Sequence, residues 1–178
     1  GTSHRYVSGK AIEYLGNPNA KIVTCHLGNG SSISAVDGGK CIDTSMGFTP
    51  LEGVIMGSRC GAVDPAIIPF IMEKENIPAN EMGDWMNKKC GFLGVSGVSS
   101  DLREIEAAIN DGNERAALAF NVLAYQIKKY IGSYTAAMNG LDCIVFTAGI
   151  GENDEDVRRC VMTDMEYLGV KLDNVKND

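Results

Sequence analysis

Short runs of β-branched and small apolar residues, separated by glycine-bearing turns, mark the first part of the chain and predict strands. Residues 21–25, 31–36 and Lys40–Thr44 read as three of them, with Asp37-Gly38-Gly39 turning the second into the third. Links this short predict an antiparallel meander. The period then changes from two to steps of three and four. Phe120, Leu123, Ile127, Ile131 and Tyr134 form one stripe, which predicts a long helix over residues 113–138, ended by Asn139-Gly140. Residues 80–89 predict an amphipathic helix with Met82, Trp85 and Met86 inward. Asp64-Pro65 predicts a capped helix start running to about Asn76, with Pro69 in its first turn or kinking it. Ser100 or Asp101 caps a further helix through Asn110, which Gly112 breaks. Residues 141–146 read as a fully buried strand, and residues 147–151 as a turn into a helix capped near Asn153. Residues 45–64 and 91–100 read as loops. A strand meander followed by helices and one buried strand is an α/β arrangement.

Composition narrows the picture. With 178 residues and 44% apolar content, the chain suits one domain with a real core. A net charge of −7 argues against a nucleic-acid surface. No apolar run is long enough to span a membrane. No signal-peptide pattern opens the chain, which starts on the polar Gly1-Thr2-Ser3-His4-Arg5; it is expected to be part of a longer protein. The six cysteines are dispersed, with no C-x-x-C pair, so neither a zinc site nor a disulfide framework is expected. That usage fits a reducing cytoplasm, with Cys25 and Cys143 as buried thiols.

Four clusters carry candidate chemistry. His26-Leu27-Gly28-Asn29-Gly30, followed by Ser31-Ser32, can aim successive backbone N–H groups at a phosphate, and taken alone is also an ordinary hairpin tip. Gly149-Ile150-Gly151-Glu152-Asn153 lies between a strand and a helix, where α/β sheets bind ligands. The acids after it, Asp154, Glu155 and Asp156, would repel phosphate, so a nucleotide there would present its nucleoside end. Gly94-Val95-Ser96-Gly97 with Ser99-Ser100-Asp101-Leu102-Arg103 could hold a base or ribose, with Arg103 stacking on the base; it is equally a helix cap. Arg59, between glycines, suits a phosphoryl group in transfer, or is a surface arginine. His4 is read as a phosphate-side donor or a structural histidine, and Asp43 as organising its loop rather than binding metal.

Together these residues resemble acetate kinases. The resemblance runs through Gly1-Thr2-Ser3-His4-Arg5-Tyr6, His26 to Gly30, Asp43-Thr44-Ser45-Met46-Gly47-Phe48-Thr49-Pro50-Leu51-Glu52-Gly53, Gly57-Ser58-Arg59 and Asp64-Pro65-Ala66. It continues through Ser99-Ser100-Asp101-Leu102-Arg103-Glu104 and Phe146 to Asn153, in family order. It implies the actin-like fold shared by acetate and sugar kinases, Hsp70 and actin. It implies reversible in-line transfer of the ATP γ-phosphoryl group to acetate, with Mg²⁺, giving acetyl phosphate and ADP. By resemblance the 26–30 segment binds ATP phosphates, Asp101, Leu102 and Arg103 with residues 149–153 bind adenosine, and Arg59 stabilises the transition state. A cytoplasmic homodimer is implied.

The chain starts at the second residue of the family motif His-Gly-Thr-Ser-His. It is expected to be a single nucleotide-binding domain, residues 1–178, of a two-domain kinase, with the ligands of Mg²⁺ outside it and no turnover on its own. Ala62 stands where many relatives have aspartate. A kinase of propionate or butyrate, and a non-catalytic actin-like nucleotide-binding module, are the alternatives.

Overall fold

The computed structural model describes residues 1–177. Its centre is a four-stranded sheet in the order β3-β2-β1-β4. β1 (Lys21–Leu27) and β2 (Ser31–Asp37) pair antiparallel from Lys21↔Asp37 to Leu27↔Ser31. Only Gly28, Asn29 and Gly30 connect them. β3 (Lys40–Thr44) folds back on β2 through Gly38 and Gly39, at φ 54° and 77°, which completes the expected meander. β4 (Cys143–Thr147) joins the other side of β1 in parallel, with Ile22↔Cys143 and His26↔Thr147.

Alternation along the strands sorts the two faces. Val23, Cys25 and Leu27 of β1 and Ile33 and Ala35 of β2 are fully buried in one cluster with α6 (Glu114–Met138). All five residues of the predicted α6 stripe are buried there. Asn113 caps this helix, its side chain accepting from the amides of Arg115 and Ala116, and Asn139 closes it in the left-handed region at φ 52°. The 25 residues span about 37 Å, so α6 backs the whole sheet. On the opposite face Ala20, Ile22 and Val36 pack under α1 (Thr2–Leu15).

Several elements differ from the sequence reading. α1 has no predicted counterpart, because its buried residues, His4 and Ser8, are polar and leave no apolar stripe. β4 is half-buried along most of its length and includes Thr147, since it is the edge of the sheet and only one neighbour pairs with it. Cys143 is accordingly half-buried rather than buried. α2 (Ile67–Glu75) starts after the Asp64-Pro65 pair; Asp64 instead accepts from the Ala66 amide at 2.9 Å, an Asx turn ahead of the helix. α3 (Ala79–Lys88) buries Met82, with Trp85 and Met86 half-buried.

The expected 91–100 loop contains α4 (Gly91–Ser96), whose glycines act as boundaries: Gly91 enters at φ 66° and Gly97 ends the helix at φ 70°, while Phe92 anchors it in the core. α5 (Leu102–Asn110) is capped by Asp101 as expected. In place of the 147–151 turn, β4 runs directly into α7 (Ala148–Asn153). Asp154, not Asn153, caps α8 (Glu155–Met162), accepting from the Val157 amide. A 3₁₀ turn (Glu166–Leu168) and α9 (Asn174–Asn177) follow. Arg158 ties α9 to α7, donating to Asn177 Oδ1 and to the Gly151 carbonyl. Among the described residues no helix is long and apolar enough to cross a membrane.

Candidate functional site

Because β1 and β4 are parallel neighbours, their carboxyl ends open at the same edge of the sheet. Such an edge is where α/β sheets collect ligands. The β1 exit is the Gly28-Asn29-Gly30 connection, and the β4 exit is α7. They touch: a Cβ at Gly28 would lie 3.8 Å from the Ala148 methyl. Ala148 itself is left-handed at φ 65°, a costly backbone state for a residue with a Cβ. The chain therefore folds sharply back at this junction. Gly151 lets α7 lie on the strands, since a Cβ there would stand 3.3 Å from the Phe146 carbonyl carbon and 3.5 Å from the Cys25 oxygen.

A cleft of about 760 Å³ opens between these exits and the start of α5. That volume falls in the range of small-molecule sites. Gly28 and Asn29, Asp101, Leu102 and Arg103, and Gly149, Ile150 and Asn153 all line it. Three segments far apart in sequence thus share one cavity. Asp101 caps α5 through the Arg103 amide at 3.0 Å and is forked by the same residue's guanidinium, Nε at 3.0 Å and Nη2 at 2.6 Å. That pairing holds the Asp101 carboxyl below the usual carboxylate range. The Arg103 plane is exposed and presented at the cleft mouth.

The other predicted residues sit around the cleft rather than in its wall. Leu27 is fully buried in the α6 core. Gly30 backs onto Arg59, whose Nη1 lies 3.3 Å from the position of a Gly30 Cβ. Arg59 is half-buried and donates from Nη1 to the Pro50 carbonyl at 3.1 Å. Gly57, in the same loop, is wedged between Asn29 and Ser100: a Cβ there would stand 3.0 Å from Asn29 Oδ1 and 2.7 Å from the Ser100 oxygen. The Arg59 loop is therefore locked against both the β1 turn and the α5 cap. Glu152 accepts from the Thr147 hydroxyl at 3.2 Å.

His26 is half-buried, with Nδ1 2.9 Å from Ser3 Oγ. His4 takes the structural role of its two readings. Its Nδ1 is 2.6 Å from Thr24 Oγ1 and its Nε2 is 2.8 Å from Ser32 Oγ. Burial, first, lowers its pKa to about 4, so a neutral ring clamps β1 to β2 below the turn.

One end of the cleft is strongly acidic. Asp154, Glu155 and Asp156 line it, together with Glu106, which the motif reading passed over. Glu106 lies one turn after Arg103 on the same face of α5, and that i,i+3 spacing was its only signal. Burial, followed by the charge of Asp154, pushes its pKa up to about 7. The acids and the β1 turn give the cleft a polarity. Anionic groups are repelled at the α8 end, whereas among the described residues no acidic side chain lines the Gly28 end.

This arrangement, with a helix-backed mixed sheet and a cleft at the ends of two parallel strands, is an actin-like ATPase domain. The chain belongs to the Acetokinase family, which it matches over residues 1–178. It is 59% identical over 179 aligned positions to the acetate kinase of Methanosarcina barkeri, covering 99% of this chain and 44% of that one. The crystal structure of Porphyromonas gingivalis acetate kinase superposes with a TM-score of 0.97 at 54% identity, covering 100% of this chain and 45% of that one. A propionate kinase structure from Francisella tularensis superposes at 0.94 with 41% identity, covering 99% and 46%. The chain therefore spans a little under half the length of the relatives it matches.

Proposed function

We propose that this chain is the larger part of the nucleotide-binding half of a cytoplasmic, homodimeric acetate kinase, which transfers the γ-phosphoryl group of ATP to acetate and yields acetyl phosphate and ADP. The observation that carries the reading is the shared cleft. Gly28 and Asn29 meet Asp101, Leu102, Arg103, Gly149 and Ile150 across one cavity.

Charge sets the direction of the nucleotide. The nucleoside lies toward Arg103 and Ile150, between a guanidinium plane and an apolar side chain. The phosphates point to the 28–30 turn, away from Asp154 and Asp156. Arg59, against Gly30, reaches the γ-phosphoryl group as it moves to the carboxylate oxygen. In-line phosphoryl transfer demands positioning and charge neutralisation more than covalent help. A planar, permanently charged fork supplies both.

ATP acts in this reaction class as its magnesium complex. Among the described residues no three His, Cys, Asp or Glu side chains gather to hold a metal. By the family resemblance its protein ligands are expected outside this chain.

Acyl-hydroxamate formation from ATP with acetate, propionate or butyrate tests the reading on the intact protein. The expected result is highest kcat/KM with acetate, and no turnover by residues 1–178 alone. The propionate kinase neighbour gives the second reading its basis. A preference for propionate would establish that reading and overturn the first. No phosphorylation of any short carboxylate would remove both and leave a non-catalytic nucleotide-binding module.

A further inference from the structure

A second pocket shares no lining residue with the nucleotide cleft. It has a volume of about 300 Å³ and lies between the end of β3, the loop that follows it and α6. Asp43, which organises its strand end as expected by accepting at Oδ1 from the Thr44 amide at 2.6 Å, and Glu52 bring two carboxylates to it, and Tyr130, Ser133 and Tyr134 line it from one face of α6 at steps of three and four. Gly47 makes room for the acid, because a Cβ there would fall within the Glu52 carboxylate.

Two observations show that this pocket is not self-sufficient. Among the described residues no ion pair joins Asp43 or Glu52 to a basic side chain. Lys129, beside Tyr130 in sequence, instead lies over the Tyr125 ring at 5.7 Å. Tyr134 supplies the second, independent observation. It is 3% exposed, and its hydroxyl oxygen is buried without a hydrogen-bond partner. A core position needing only bulk is filled as well by phenylalanine, so this hydroxyl is buried for some other purpose.

We propose that this pocket binds a hydrated divalent cation, with Asp43 and Glu52 as its anionic ligands and the Tyr134 hydroxyl as a neutral one. The donor set is all oxygen, which selects hard cations of the calcium and magnesium class over zinc or copper. Two carboxylates balance a double positive charge. The volume is many times that of one water, at about 30 Å³, so the ion keeps part of its hydration shell. The cation would tie β3 and the 45–52 segment to α6. This site is separate from any ion carried by the nucleotide.

Terbium(III) tests the proposal, because its luminescence is sensitised by tyrosines at a shared site. The intact protein, free of nucleotide, is titrated with terbium and excited at the tyrosine band. Saturable emission that calcium displaces is expected. Asp43→Asn and Glu52→Gln should each weaken binding about tenfold or more. Tyr134→Phe should weaken it severalfold, and it keeps the ring, so the fold is retained and can be checked by circular dichroism. Asp156→Asn, in the other cleft, should leave the emission unchanged. Absence of sensitised emission would overturn the site, as would emission that survives the Asp43→Asn, Glu52→Gln double substitution. Unchanged affinity in folded Tyr134→Phe would overturn the role of its hydroxyl.

Discussion

Arg59 lies against Gly30, and Gly57 of its loop against Asn29, but the proposal gives Arg59 and Asn29 different work. Charge develops on the transferring group only in the transition state, so Arg59 should matter to rate far more than to binding. Arg59→Ala in the intact protein should cut kcat by about 10³ or more with KM for ATP nearly unchanged. Arg59→Lys should rescue poorly, because a point charge cannot reproduce the fork. Asn29→Ala should raise KM for ATP as well as lower kcat, since its turn is proposed to hold phosphates in the ground state. Steady-state kinetics of the three variants separate these roles. A large rise in KM with kcat intact for Arg59→Ala would make it a ground-state binder.

Glu106 gives a second test at this scale. Its folded-state pKa is raised from 4.5 to about 7. The folded protein therefore binds a proton more tightly there than the unfolded chain, and the associated stability is present below about pH 4.5 and lost as pH rises through 7. Glu106→Gln should raise the melting temperature at pH 8 and change little at pH 5. Thermal unfolding at the two values checks it. Arg59 stands out as a candidate in the sequence because an arginine among glycines has no helix face to serve. Glu106 does not, because a lone acid on an amphipathic helix looks solvated until Asp154 is brought opposite it by the tertiary fold.

At the level of elements, legibility followed periodicity and caps. The α6 stripe and the Asn113 and Asn139 caps are local signals, and the structure places the helix within a residue of them. α1 was illegible because it buries a hydrogen-bonded histidine rather than an apolar face. β4 and α7 were misjudged where tertiary geometry decides: an edge position for the strand, and a left-handed Ala148 in place of a glycine turn.

The α1 clamp has its own pH signature. His4 falls from 6.5 to about 4 on folding, mainly by burial, so the folded state rejects a proton that the unfolded state takes up. Its contribution is complete above about pH 6.5 and is lost as pH falls toward 4. Urea midpoints measured between pH 7 and pH 4 should fall, and His4→Gln should flatten that slope. An equal slope in the variant would place the acid sensitivity elsewhere.

The molecule as a whole leaves apolar surface uncovered. α2 reads Ile67-Ile68-Pro69-Phe70-Ile71-Met72 yet buries none of its residues, and Phe48 is fully exposed. Exposed groups of this size on one chain mark surfaces that other polypeptide covers. A second copy, as in the homodimer proposed above, would supply such cover. Light scattering of the intact protein at micromolar concentration should give the mass of two copies, and a monomer would contradict it. The overall α/β class was readable from the order of strands and helices. The cleft was not, because no local pattern states that the exits of β1 and β4 adjoin.

That adjacency is the central claim, and hydrogen–deuterium exchange of the intact protein with and without saturating ADP tests it most directly. Amide exchange should slow together in residues 28–30, 101–103 and 149–153, with α2 and α3 unchanged. Slowing confined to other segments, or to one of the three alone, would contradict a single nucleotide cleft built from these turns.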